Sequence, residues 1–394
     1  MNLKKEMTSM RPISKLTTLS LFSSLGFAAA YAIWAIYLES FFHNPSYVGF
    51  LQSFFTIISV LSCFFIIPLL QKYRKAGLYL LGLLAYAVSY AIFAVFPNLY
   101  VIIIFGTGLM FFASLRLAAF GILVREKSKG KDVSKNEGML YAFSNFAWMI
   151  GPIIAGFISS KYGFSKVFIF SSSVIFLASL LFIFFKIKDE KPKGKVSRNL
   201  FRIAVGFFKS RKLIFNYIIS AGVTFWWTFI YVYVPIFIIE SELSEIVVGF
   251  FLAGVTIPLI ISEYSFGKLA GKIGFRKMFV VGYFIIAVFS LICFFIGNIY
   301  FVLAMLVIAS FGMAMVESTS EAYFFDITSE KQREKYYGPY STAVDAGNFV
   351  ALSLSAIILL VLEFKFLFVF FGVSMIAFGV ISIKIKNIIE SRRK

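Results

Sequence analysis

Cysteine and histidine are nearly absent from this chain, which holds two of the first and one of the second in 394 residues. Cys63 and Cys293 fall inside apolar runs and so build neither a disulfide framework nor a metal site. His43 stands alone in a short connection and reads as a surface residue. Charge is scarce too. Asp, Glu, Lys and Arg make up 14% of the residues against 60% hydrophobic ones, a balance too apolar for a soluble domain. No Gly-x-x-x-x-Gly-Lys-Ser/Thr phosphate loop occurs, and no connection is long enough for a nucleotide-binding domain. ATP-driven work by this chain alone is therefore not expected, no cofactor is called for, and nothing points to an enzyme.

Long apolar runs take the place of these features, and mean hydropathy is +0.89. A bilayer core about 30 Å thick needs about 20 mostly apolar residues per helix. Twelve runs qualify and are numbered spans 1 to 12: 16–38, 47–70, 76–96, 99–124, 138–160, 164–185, 213–239, 246–266, 277–296, 299–327, 338–362 and 364–385. They are continuous rather than alternating, which excludes a β-barrel and predicts an all-α integral membrane protein. Lys4, Lys5, Arg11 and Lys15 precede span 1, but the run is too long for a signal peptide and reads as an uncleaved helix.

The net charge of +19 is distributed by side. Both termini and the even-to-odd connections hold 34 of the 38 Lys and Arg residues. The opposite side holds Lys161, Lys166 and Lys365, and Arg116 lies inside span 4. Basic residues stay on the cytoplasmic side during insertion, so both termini are expected there, in a multi-pass protein of the cell membrane. The charge is thus topology and not a nucleic-acid patch.

The chain also reads twice. At a shift of 200 residues Val48-Gly49-Phe50 meets Val248-Gly249-Phe250, Lys72 meets Lys272, Gly82 meets Gly282, Asn98 meets Asn298, Gly138 meets Gly338, and Lys186 meets Lys386. Two similar membrane halves can open to one side and then the other, which is how many transporters work. The expected organisation is a six-helix bundle over 1–185, a cytoplasmic linker over 186–212 and a second bundle over 213–394. Within the linker, Leu200 to Lys209 is either an amphipathic helix on the inner leaflet or the entry to span 7.

After span 8 comes Gly267-Lys268-Leu269-Ala270-Gly271-Lys272-Ile273-Gly274-Phe275-Arg276-Lys277. This resembles motif A of the major facilitator superfamily, with Gly271 where the family has an acid. Its glycines allow a tight turn, and its cations hold the loop to one face. The first-half copy, Ile67-Pro68-Leu69-Leu70-Gln71-Lys72-Tyr73-Arg74-Lys75, has lost the glycines and the acid. In span 5, Gly138, Ala147, Gly151, Pro152, Ala155 and Gly156 are spaced in a way that resembles motif C, associated with drug–proton antiporters of that superfamily. Small residues there would let spans 5 and 8 approach closely; generic small-residue packing is the alternative. The resemblance implies twelve helices in two bundles related by a pseudo-two-fold repeat, with a small-molecule substrate, protons as the coupling ion and a monomeric chain.

Charges inside the spans are costly and face the interior by default. Arg116 in span 4 corresponds under the repeat to Val316, one residue before Glu317 in span 10, and Glu321 follows one turn later. Asp345 lies in span 11. Arg116 with Glu317 or Glu321 could form a cytoplasmic gate. Glu317 could carry a proton or bind a cationic substrate. A fixed ion pair between helices is the plain alternative. Tyr31 and Trp34 of span 1, and Trp226, Trp227 and Tyr231 of span 7, are candidates for an aromatic cavity wall. An interfacial aromatic belt would account for some of them instead. The motifs favour proton-coupled efflux of small amphipathic compounds. An importer of a sugar, amino acid or organic acid is the alternative, and a receptor or scaffold is a third class.

The charge asymmetry makes a topology prediction. A reporter fused after Lys394 should score as cytoplasmic, and one inserted near Glu242 as external. An external score at the C-terminus would overturn the span count.

Overall fold

A computed structural model describes residues 12–128, 133–187, 189 and 200–389. Lys4, Lys5, Arg11 and the centre of the expected linker, 190–199, lie outside the described residues. Twelve helices are long and apolar enough to cross a membrane: Pro12–Phe42, Pro45–Cys63, Lys75–Val95, Leu99–Lys127, Gly138–Tyr162, Phe164–Phe185, Arg211–Glu240, Glu245–Ile273, Phe275–Cys293, Ile299–Ile327, Lys335–Leu359 and Phe366–Ile383. They match spans 1 to 12 in order. In a bilayer the backbone has no water to bond to, so an apolar run satisfies its amides within itself and becomes a helix. Among the described residues there is no strand.

The repeat survives in local structure. Asn98 caps span 4 by accepting from the Tyr100 amide at 2.8 Å, and Asn298 caps span 10 by accepting from the Tyr300 amide at 2.9 Å. Gly82 of span 3 lies against Arg116, where an added Cβ would stand 2.7 Å from the arginine Cβ. Gly282 of span 9 lies against Val316 at the same 2.7 Å. The symmetry breaks in span 7. Residues Phe229–Tyr233 form a π-helical turn, and span 1 continues as an α-helix through the matching stretch. Pro235 explains this: it has no amide to donate and stands where span 1 has Ala35.

Two compact units are present. The first comprises Met1–Phe41, Phe54–Val196 and Leu243–Ala253. The second comprises Phe42–Ser53, Ser197–Glu242 and Gly254–Lys394. Each thus contains the opening turns of the second repeat helix from the other half of the sequence. In the first unit Gly249 packs on Pro152 and Ile153 of span 5, Gly156 packs on Glu245 and Ile246, and Phe157 meets Phe250 at 5.8 Å. In the second unit Gly49 packs on Leu352 and Ala356 of span 11, and Ser53 meets the Ser353 hydroxyl at 3.0 Å. Positions 152 and 352 are repeat mates, so both units build the same seam.

One expectation needs adjustment. Gly151 does not face span 8. Its missing Cβ would stand 2.7 Å from the Ala28 Cβ, so it admits span 1, and Gly156 and Pro152 carry the contact with span 8. Of the two readings left open for the segment inside the linker, the structure gives a helix of its own, Leu200–Phe208, and not the entry to span 7. Phe207 is fully buried in the second unit against Phe324 and Tyr340, whereas Phe208 and Val205 are exposed.

Glycine contacts decide which substitutions the first unit tolerates. Gly151→Leu should cost about 1–3 kcal/mol through overpacking against Ala28. Gly138→Leu should stay within about 0.5 kcal/mol, since among the described residues nothing lies within 4 Å of its added Cβ. Thermal denaturation of the purified variants tests both, and equal losses would contradict this packing.

Candidate functional site

Span 10 brings a carboxylate into the second unit at Glu317. Its Oε2 accepts a hydrogen bond from the Trp227 indole Nε1 at 2.8 Å. The three residues after it bond back to their own helix: Ser318 to the Ala314 carbonyl, Thr319 to that of Met315 and Ser320 to that of Glu317. Such back-bonding weakens the amide ladder and bends helices locally. Glu317 is half-buried, and Trp227 lies one turn before Tyr231, with ring centroids 5.7 Å apart. Tyr231 sits inside the π-helical turn, a form that often marks functional positions. Trp226 is different. It is 0% exposed and packs on Phe229 inside the unit, so it cannot be part of a wall facing a cavity.

Glu321 is exposed and accepts from the Tyr337 hydroxyl at 2.8 Å. Glu317 and Glu321 therefore have different neighbours although they share a helix face. Asp345 is half-buried in the first turn of Ala343–Leu359. It lies beside a polar seam between spans 7 and 11 that sequence reading did not find. The Tyr217 hydroxyl meets Thr342 at 3.1 Å, Ser220 meets Tyr340 at 2.8 Å, Thr224 donates to the Val344 carbonyl at 3.1 Å, and Thr228 donates to Asn348 Oδ1 at 2.7 Å. The four span 7 residues recur every three or four positions, which puts them on one face. That periodicity was available in the sequence; the partners on span 11 were not.

In the first unit Arg116 lies under aromatic rings. Its guanidinium carbon is 4.1 Å from the Phe27 centroid and 5.6 Å from that of Tyr86. Phe27 and Tyr86 meet edge to face at 4.6 Å. Gly82 has no side chain where the arginine stem passes, which is how span 3 admits it. Tyr31, 39% exposed, meets Trp148 edge to face at 5.7 Å. Trp34 packs within a cluster of Tyr37, Phe55, Phe93 and Phe168.

The motif A loop is a tight link between spans 8 and 9. Gly274 has φ of 92°, a left-handed conformation that costs glycine little, and it lies against the Asn387 side chain. Lys272, Arg276 and Lys277 are exposed there, and Gly267 faces open space among the described residues. The eroded first copy has other charge contacts. Lys75 Nζ lies 3.6 Å from Glu126 Oε1, and the Ala76 amide donates to Asp189 at 3.1 Å.

The family model of the Major Facilitator Superfamily matches residues 16–265 and 217–387. The chain belongs to that superfamily. It is 23% identical over 375 residues to an uncharacterized MFS-type transporter of Methanocaldococcus jannaschii, covering 93% of this chain and 95% of the relative. It is 24% identical over 266 residues to the multi-drug resistance efflux pump PmrA of Streptococcus pneumoniae, covering 66% of each. Among solved structures it resembles a POT family transporter in complex with a thioalcohol-conjugated peptide. The TM-score is 0.79 at 11% identity, over 94% of this chain and 95% of that one. A POT family transporter in complex with 5-aminolevulinic acid gives 0.78 at 11%, with the same coverage. These likenesses show the fold. The protein is a multi-pass membrane transporter of this superfamily.

The Trp227–Glu317 bond is testable by a double-mutant cycle. Trp227→Phe and Glu317→Ala should couple by about 1.5–3 kcal/mol in thermal denaturation, the range for bonds to charged groups. Strict additivity would remove the bond.

Proposed function

We propose that this transporter exports small amphipathic cations in exchange for protons, with Glu317 as the exchanging group. The observation that carries the reading is the Trp227–Glu317 hydrogen bond, a carboxylate inside a span held by a neutral donor. A carboxylate placed this way can take a proton or the cationic head of a substrate, and occupancy by one excludes the other. That competition is sufficient for exchange. Trp227 and Tyr231, beside Glu317, offer ring faces to an aromatic or aliphatic cation. Arg116 is read as the counter-charge to Glu317 during the cycle, with Glu321 and Asp345 as further coupling candidates. The motif C resemblance and the likeness to an efflux pump support export, with both termini in the cytoplasm of a monomeric protein of the cell membrane.

Proteoliposomes and ethidium as the probe cation test this. Wild type should move ethidium against its gradient only when a proton gradient is imposed in the opposite direction. Glu317→Gln should abolish gradient-driven movement while ethidium still binds. Movement of ethidium with the proton gradient would favour an importer. Full coupling in Glu317→Gln would remove Glu317 from the mechanism.

A further inference from the structure

A cavity of about 620 Å³ opens in the second unit at the basic end of its spans, away from Glu317. Arg211 and Lys212 of span 7, and Lys384 and Lys386 just after span 12, line it. One acid, Asp326 at the end of span 10, lies among these four cations. The remaining lining is apolar, from Phe215, Tyr323, Ile327, Ile385 and Ile388. The cavity has a frame. Ile385 and Ile388 are buried and anchor the segment after span 12, the Tyr323 hydroxyl donates to the Lys386 carbonyl at 3.2 Å, and Asn387 seats on Gly274. Lys212 is partly committed, donating to the Ile327 carbonyl at 2.7 Å. Arg211, Lys384 and Lys386 are exposed, and among the described residues no ion pair involves them.

We propose that this cavity binds a phosphate-bearing anion, chiefly the head of an anionic phospholipid in the adjacent leaflet. Three cations not committed to an ion pair at one opening match a phosphate, which accepts several charge-assisted hydrogen bonds at once. The apolar floor is unsuited to a small hydrated ion and suits the glycerol and first acyl carbons of a lipid. Its position at the ends of spans 7, 10 and 12 is at headgroup level, where basic pockets between helices recruit anionic lipids. The same chemistry could be met by a soluble phosphate ester, so the test has to separate the two sources. The proposal does not depend on proton exchange at Glu317.

The test uses the full-length protein purified in detergent, with melting temperature as the readout. Phosphatidylglycerol should raise it by about 2 °C or more over equimolar phosphatidylcholine. Lys384→Gln with Lys386→Gln should remove that difference. A control that discards the same charge elsewhere on this end, Lys268→Gln with Lys277→Gln, should keep it. Glycerol phosphate should give no shift at the same concentration; an equal shift would keep the phosphate site and make its ligand soluble. Equal effects of the two lipids on wild type would overturn the proposal, as would equal loss in the Lys384/Lys386 and Lys268/Lys277 variants. A Lys384/Lys386 variant that fails to purify is replaced by Arg211→Gln, judged by the same lipid difference.

Discussion

Every backbone amide in a bilayer must find its partner inside the protein, and the rest of this structure depends on that constraint. It makes each apolar run a helix and removes hydrophobicity as a force between helices, since lipid is as apolar as leucine. Close approach must therefore come from shape. Gly49 and Gly249 supply it at matching positions, Gly249 against the backbone of Pro152 and Ile153 and Gly49 against the Tyr233 hydroxyl, the Ala356 methyl and the Leu352 carbonyl. These contacts place the opening turns of spans 2 and 8 in the unit built mainly from the other half of the sequence.

The same constraint explains why polar side chains here carry information. A hydroxyl in a span bonds to its own helix or to a neighbour, and both kinds occur. Ser318, Thr319 and Ser320 bond backwards along span 10, next to Glu317. Thr224 and Thr228 bond across to span 11 instead. The first arrangement loosens a helix beside a carboxylate; the second fastens two helices of one unit together. A transporter needs both, a firm body and a local site that can change partners.

Charge within the spans follows an economy of its own. Arg116 is covered by Phe27 and Tyr86, and Glu317 is held by an indole. Ring faces and ring N–H groups satisfy charge less fully than an opposite ion does. Lys75 and Glu126, at 3.6 Å, show what a committed pair looks like in the same protein. Their repeat mates differ: Phe275 replaces the lysine and Asp326 remains, facing a cavity rimmed by other cations.

The sequence by itself determined the number and order of the spans, the two-fold repeat and the superfamily, because hydropathy, repeat period and loop motifs are written in short stretches of residues. It also pointed to Glu317 as an intramembrane acid. It did not determine partners. Gly151 and Gly156 are equivalent small residues in one dimension, and only packing shows that one admits span 1 and the other span 8. Trp226 and Trp227 are adjacent and chemically the same, yet a helix turns about 100° per residue, so one is sealed inside and the other reaches a carboxylate. The cavity near Lys384 joins residues some 170 positions apart, and no local pattern reports that distance. Tertiary structure decided these points because a helix face acquires its meaning only from the helix that packs against it.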